Sequence, residues 1–155
     1  GAMKLAKRST RRSEIISFKN AYHGSTQGAL SIMGDENFKN SFRPLIPGGK
    51  ILTFNDHYAL DEISDQTAAV IIEPIQGEAG VRKADKAFLS ELRQKCDAFG
   101  ALLVFDEVMT GFRLAPGGAQ QIYGDAREGV FRYRFTAPAG RTSGGMGIAL
   151  CVERD

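Results

Sequence analysis

The residue of this sequence that is best placed to do chemistry is Asp106, at the end of an apolar run. The segment LLVFDEVMTGFR, residues 102–113, takes four apolar residues into Asp106 and Glu107 and then into a turn with Gly111. Such a run is typical of a strand buried on both faces of a parallel sheet. Open α/β sheets bind ligands at the carboxyl ends of their strands. Because a lone carboxylate is costly to bury there, we expect a cationic or protonated group to meet Asp106.

Two other segments place polar and aromatic side chains in turns. They are AYHGST, residues 21–26, and VIIEPIQGEAGV, residues 70–81. Each candidate also has an ordinary structural interpretation. Asp106 can cap the turn that follows it, Tyr22 can pack within a loop, and Glu78 can be solvated in its Gly-rich loop.

The elements that must position these residues form a strand–helix–strand pattern. Short β-rich or apolar segments predict strands over 14–18, 50–54, 68–73 and 101–105. A helix is predicted over 85–100, between an N-cap Asp85 and a C-terminal Gly100, by an apolar stripe of Phe88, Leu92, Cys96 and Phe99. Shorter helices are predicted over 25–33 and 57–63. The sequence therefore predicts an α/β fold with a parallel sheet and flanking helices.

The character of the chain changes after Gly124. Residues 131–135 alternate aromatic residues with arginine, which predicts a strand, and residues 146–152 predict a last apolar strand. The alternating segment is interpreted as an exposed edge strand rather than a surface for nucleic acid. We therefore expect two regions, one over residues 1–124 and one of unassigned C-terminal strands over residues 125–155.

Composition narrows the classes of function. The net charge of +2 over 155 residues gives no reason to expect a nucleic acid or a membrane as partner. Cys96 and Cys151 form no disulfide framework, which suits a cytoplasmic protein. The histidines, His23 and His57, have no carboxylate at a matching spacing, so no metal site is predicted.

Taken together and in this order, the three motifs resemble those of the class III aminotransferases, which depend on pyridoxal 5'-phosphate (PLP) and have fold type I. The resemblance covers residues 1–124 and implies part of the PLP-binding large domain. Residues 125–155 bear only a faint resemblance, at GGMGIALCVE, to a small-domain strand.

The resemblance also implies site residues. Tyr22 would stack on the cofactor ring, His23 would line the same pocket, and Val108 would press on the opposite face of the ring. Asp106 would bond the pyridine nitrogen, which favours the protonated ring. Glu78 would lie on the substrate side, where such a residue often pairs with an arginine.

Two kinds of enzyme within the family remain open. AYHGSTQGALS and PIQGEAGV resemble acetylornithine or ornithine aminotransferases, whereas residues 105–124 resemble a glutamate-1-semialdehyde 2,1-aminomutase. Met109 stands where the ornithine-type enzymes usually carry Gln. The implied substrates are a small amino donor of the ornithine type and a 2-oxo acid, and the implied assembly is a homodimer.

No catalytic residue is assigned, because the family's lysine that holds the cofactor should lie downstream of Asp106. The last lysine of this sequence is Lys95. We therefore expect a truncated chain that does not transaminate by itself, and whether it is an enzyme in its own right stays open. The alternative is a non-catalytic fragment whose apolar surface associates with another copy.

Overall fold

The computed structural model describes residues 1–111, 113–123, 130–136 and 147–151. These residues form four helices and eight strands, in chain order α1 (Ala2–Thr10), β1 (Glu14–Phe18), α2 (Gln27–Ser31), β2 (Gly49–Leu52), β3 (Thr67–Ile72), β4 (Ile75–Gln76), β5 (Arg82–Lys83), α3 (Lys86–Phe99), β6 (Leu102–Asp106), α4 (Ala119–Tyr123), β7 (Val130–Thr136) and β8 (Gly147–Cys151). Short 3-10 helices occupy Glu36–Phe38, Asn40–Phe42 and Tyr58–Glu62. The helix predicted over 57–63 is therefore a 3-10 helix.

The main sheet has six strands in the order β2-β1-β3-β6-β7-β8. The first five are parallel, and β8 pairs antiparallel with β7. The parallel sheet flanked by helices is confirmed, and its four predicted strands lie where the sequence placed them to within two residues at each end. Strand β8 lies within the predicted segment 146–152, and β7 extends one residue beyond the predicted segment 131–135 at each end. The interpretation of that segment as an edge strand is wrong, because β7 pairs with β6 on one side and with β8 on the other.

The strand register determines which residues meet at the carboxyl edge of the sheet. Ile72 of β3 pairs with Phe105 of β6, so the residues that follow, Glu73 and Asp106, lie side by side at that edge. Phe18 of β1 pairs with Leu52 of β2, so the loop that follows β1 leaves from the same edge. This loop carries Tyr22 and His23.

Apolar layers cover both faces of the sheet, as the uninterrupted runs predicted. Every residue of β3 is buried. On one face, side chains of β1, β3 and β6 pack against α3, and on the other face they pack against α1 through the buried Ala6. The carboxyl ends of these strands are therefore held by two layers of core.

The predicted stripe of α3 is wrong at one position. Phe88, Leu92 and Cys96 are buried, but Phe99 is 40 % exposed. Phe99 lies in the last turn, and Gly100 with φ 63° leads the chain away from the helix directly afterwards. Leu89 instead completes the buried face. Burial of Cys96 raises the pKa of its thiol to about 12.

The basic segment after α1 joins two parts of the core. The Arg12 guanidinium donates from one nitrogen to the carbonyl of Thr67 at 3.1 Å and to the carbonyl of Phe99 at 2.7 Å. These bonds connect the end of α1 with the start of β3 and the end of α3. In the part of the chain that the structure describes, no helix is long and apolar enough to cross a bilayer.

Candidate functional site

The carboxylate of Asp106 forms the centre of the candidate site. His23 Nδ1 lies 2.8 Å from Asp106 Oδ2, and the side chains of these residues are 3 % and 14 % exposed. The backbone N–H of Val108 donates to Asp106 Oδ1 at 3.1 Å. An imidazole donates to a carboxylate only from a protonated nitrogen, so His23 carries a proton on Nδ1. Asp106 thus caps its own turn and also pairs with an imidazole.

The other nitrogen of His23, Nε2, is buried and forms no hydrogen bond with any described residue. Most buried polar atoms in folded proteins are hydrogen-bonded, so an exception calls for a water molecule or a ligand at that place. This atom therefore marks the site independently of Asp106.

A cavity of about 450 Å³ opens beside this pair. His23 and Asp106 line it together with Thr26 before α2, while Ile71 and Val104 supply a floor of sheet residues. The first turns of α1 close another side, with Lys4 and Lys7 among the lining residues. Its volume is within the range of small-molecule sites, and its lining combines apolar walls with a few charged groups.

Glu73 is a second buried carboxylate at this edge, and it is only 5 % exposed. The backbone N–H of Tyr22 donates to its Oε2 at 3.0 Å. Burial raises the pKa of Glu73, and the neighbouring Asp106 adds to the rise, while the N–H groups of Tyr22 and Gly77 and the charge of His23 oppose it.

Tyr22 and Val108 lie next to the cavity but do not line it. Tyr22 is 36 % exposed, and its ring meets that of Phe38 edge to face with centroids 5.7 Å apart. Val108 is also partly exposed. Of the four predicted cofactor-binding residues, the structure therefore brings His23 and Asp106 into the cavity and places the other two beside it.

Glu78 stands apart from this cluster. Its side chain is exposed, and none of the described residues, arginines included, forms an ion pair or a hydrogen bond with it. The described residues also contain no group of three or more His, Cys, Asp or Glu side chains that could hold a metal ion.

Sequence reasoning assigned no role to Glu107, although it organises the turn after β6. Its buried carboxylate accepts hydrogen bonds from Thr110 Oγ1 and from the backbone N–H groups of Ala119 and Gln120, the latter two at 2.9 and 3.1 Å. Glu107 thereby fixes the start of α4 against the turn. The sequence does carry one signal for this role, namely two adjacent carboxylates at the end of the apolar run. Because neighbouring residues of a strand point to opposite sides, Asp106 and Glu107 are not expected to face the same site.

Comparisons with known proteins identify the family. Residues 1–126 match the family model of the class-III aminotransferases. The LysW-aminoadipate semialdehyde/glutamate semialdehyde transaminase of Sulfurisphaera tokodaii is 47% identical over 124 residues, which are 79% of this chain and 32% of the relative. A Pyrobaculum aerophilum protein provisionally given the same name is 41% identical over 155 residues, which are 99% of this chain and 39% of the relative. That match extends into the segment after residue 126.

The chain is also similar to aminotransferases with other names. The acetylornithine aminotransferase of Lactiplantibacillus plantarum is 44% identical over 110 residues, which are 71% of this chain and 28% of the relative. Among solved structures, the ornithine aminotransferase of Toxoplasma gondii has a TM-score of 0.74 at 27% identity, covering 85% of this chain and 34% of that one. A PLP-bound amine transaminase from an uncultivated Pseudomonas species has a TM-score of 0.74 at 25% identity, covering 85% of this chain and 36% of that one.

The fold of the matched structures is that of fold type I PLP aminotransferases, in agreement with the parallel sheet described above. The chain spans between 28% and 39% of the length of the curated relatives named here. The family model nevertheless covers most of the chain. The chain therefore belongs to the class-III aminotransferase family.

Proposed function

We propose that this chain supplies the part of an aminotransferase that binds the pyridine ring of PLP. One observation supports the proposal above all others. The Asp106 carboxylate ends a central strand, is fixed by His23 and by the Val108 N–H, and faces a cavity of about 450 Å³. A pyridine nitrogen is the kind of group that such a carboxylate would hold in protonated form.

The residues fit the group by their free bonding capacity. Among the described residues, each oxygen of Asp106 accepts one hydrogen bond, so each keeps a second acceptor position for a ring N–H. Bound PLP would supply an electron sink for a carbanion at the α-carbon of the substrate. The protein's part is to orient the carboxylate, which the N–H groups of His23 and Val108 do.

The neighbouring residues would complete the ring site. Tyr22 would contact one face of the ring and Val108 the other, since Tyr22 directly precedes His23 and the N–H of Val108 bonds Asp106. Lys4 and Lys7 on the cavity wall favour an anionic group there, as the phosphate of PLP is. Glu78, exposed in the turn after β4, would face the amino donor.

The substrate class follows from the relatives. LysW-aminoadipate semialdehyde, glutamate semialdehyde and acetylornithine all occur in their names. We infer that the whole enzyme transfers an amino group from a donor of the ornithine type to a 2-oxo acid.

We also propose that the chain associates with a second copy. Several apolar side chains near the site are exposed, namely Tyr22, Phe38, Val108, Met109 and Leu114. Sedimentation velocity at several concentrations tests this. A sedimentation coefficient that rises with concentration supports self-association, and a constant monomer value contradicts it.

The cofactor proposal is tested by binding rather than by turnover. Pyridoxamine 5'-phosphate is the better probe, because it has no aldehyde and cannot form a Schiff base with surface lysines. We expect saturable binding in equilibrium dialysis and a loss of about tenfold or more in Asp106→Asn, which removes a charge-assisted bond. The matched control is Asp65→Asn, at an exposed position in the loop before β3 that does not line the cavity. Equal affinity of both variants would refute the proposal.

A further inference from the structure

Glu73 is a buried carboxylate to which the proposed function gives no role. It follows Ile72 directly at the end of β3, and the register of β3 with β6 places it beside Asp106. A carboxyl group that is 5 % exposed requires compensating interactions. The groups that face Glu73 therefore indicate its role in the fold.

Glu73 faces backbone N–H groups of two different loops. Its Oε2 accepts a hydrogen bond from the Tyr22 N–H at 3.0 Å, in the loop after β1, and the N–H of Gly77, in the turn that leads to Glu78, lowers the pKa of the carboxyl. One side chain thus joins the loop of the proposed ring-binding residues to the turn of the proposed substrate-side residue.

The packing around Gly77 adds the turn after β6 to this junction. A Cβ on Gly77 would lie 3.3 Å from Met109 Cγ, so the Gly77 backbone rests against the Met109 side chain. The neighbouring buried Gln76 donates from Nε2 to the carbonyl of Lys19 at 3.0 Å, which is a neutral bond between the same two loops. Glu73 differs from Gln76 because it brings charge to the junction.

The titratable groups that act on Glu73 are His23 and Asp106. His23 favours the ionised form of Glu73, whereas Asp106 and burial disfavour it. The Asp106–His23 pair and Glu73 are therefore electrostatically connected as well as joined through the backbone of Tyr22 and His23. A hydrogen bond from Tyr22 alone would not couple the charge of Glu73 to the Asp106–His23 pair.

We propose that Glu73 is a positioning residue whose carboxylate fixes the Tyr22–His23 segment and the Gly77–Glu78 turn relative to Asp106. The inference rests on the proposed function only in that these loops are taken to hold the cofactor and the substrate. The geometry of the junction is a property of the chain without any ligand.

The first test uses the unliganded, ¹⁵N-labelled chain. An N–H that donates to a carboxylate changes its chemical shift when that carboxylate is protonated. We expect the amide signals of Tyr22 and Gly77 to move together with pH, with a midpoint above the ordinary Glu value of 4.5, and to lose this response in Glu73→Gln. Independent midpoints, or the same response in Glu73→Gln, would overturn the inference.

The second test separates acceptor from charge through the two histidines. Glu73→Gln keeps an oxygen for the Tyr22 N–H, whereas Glu73→Ala removes it. We expect the ring signals of His23 to move in both variants, and more in Glu73→Ala, while those of His57 stay unchanged. Glu91→Gln is the matched control, because Glu91 pairs with His57 on the surface and should move only the His57 signals. Ring signals of His23 that ignore Glu73 would contradict the inference.

Binding of pyridoxamine 5'-phosphate then distinguishes this inference from the proposed function. We expect Glu73→Ala to lose about tenfold in affinity and Glu73→Gln to lose less. If the amides titrate together but the probe does not bind, the positioning role stands and the cofactor proposal fails. If the probe binds in an Asp106-dependent way but the amides do not respond, the positioning role fails. Should Glu73→Ala not fold, wild type and Glu73→Gln still decide both.

Discussion

Asp106 and Glu107 are adjacent carboxylates with very different surroundings. Both oxygens of Glu107 are satisfied from within the chain, by Thr110 Oγ1 and by two backbone N–H groups at the start of α4. Asp106 accepts one bond at each oxygen and faces a cavity. The two side chains leave the end of β6 toward opposite sides, so one enters the fold and the other enters the site.

This difference shows that the number of filled acceptor positions distinguishes a carboxylate that stabilises the fold from one that can bind a ligand. A buried carboxylate whose acceptor positions are filled by local N–H and O–H groups stabilises the turn that supplies them. A carboxylate with open positions toward a cavity can exchange them for a ligand. Stability should therefore depend on Glu107, and binding should depend on Asp106.

The largest expected effect on stability is that of Glu107→Ala. It leaves the hydroxyl of Thr110 and the N–H groups of Ala119 and Gln120 without their acceptor in a buried place. We expect the free energy of unfolding to fall by about 3 kcal/mol, because each buried unsatisfied group is costly. Urea denaturation followed by circular dichroism measures it.

The control for this prediction is the neighbouring carboxylate. Asp106→Asn keeps the size of the side chain and an acceptor oxygen for the Val108 N–H, and its amide N–H can donate to His23 Nδ1 in the other ring tautomer, so the change in stability should be below about 1 kcal/mol. Similar destabilisation by both variants would show that the two carboxylates do not divide their roles in this way.

The strands that bring the site together could be predicted from the sequence because their signals are local. The run before Asp106 and the segment 14–18 are apolar or β-rich and bounded by turn residues, so their ends were placed within a residue. The position of Asp106 at a carboxyl edge follows from the parallel sheet alone. That His23 also reaches this edge follows from its place in the loop after β1.

The partners of the carboxylates could not be predicted in the same way. Glu107 bonds residues 12 and 13 positions downstream, across a turn whose path depends on packing. Glu73 bonds Tyr22 over a separation of 51 residues. Phe99 fits the helical stripe by spacing, yet it is exposed because the helix ends at that turn. Periodicity reports which face is apolar, but it does not report where a neighbouring element stops.

Gly118, which faces the carboxylate of Glu107, provides a second test of the role of Glu107. Gly118 has φ +76°, and a Cβ there would lie 2.6 Å from Glu107 Oε2. Gly118→Ala should lower the free energy of unfolding by about 2 kcal/mol, combining the left-handed backbone cost with the contact against the carboxylate.

Gly80→Ala separates these two contributions. Gly80 has φ +89°, but a Cβ there would meet nothing within 4 Å, so the variant carries the backbone cost alone. We expect it to lose less stability than Gly118→Ala in the same urea experiment. Equal losses would mean that the carboxylate of Glu107 yields to the new methyl group without cost.

The smallest expected effect concerns Glu73, which stands between the two cases because its Oε2 accepts a hydrogen bond from Tyr22 while its burial still raises its pKa. With the pKa raised by folding, the folded chain retains a proton at pH values where the unfolded chain has lost it. The contribution of Glu73 to stability is therefore most favourable at low pH and declines as the pH rises through the folded-state pKa. Glu73→Gln lacks this titration, so the free energy of unfolding of wild type relative to Glu73→Gln should fall as the pH rises from the ordinary Glu value of 4.5 through the folded-state pKa. Glu91→Gln, at an exposed ion pair with His57, is the control measured in parallel.

A difference that instead grows with pH would mean that the N–H groups of Tyr22 and Gly77 outweigh burial. Glu73 would then belong with Glu107, as a carboxylate whose charge stabilises the fold.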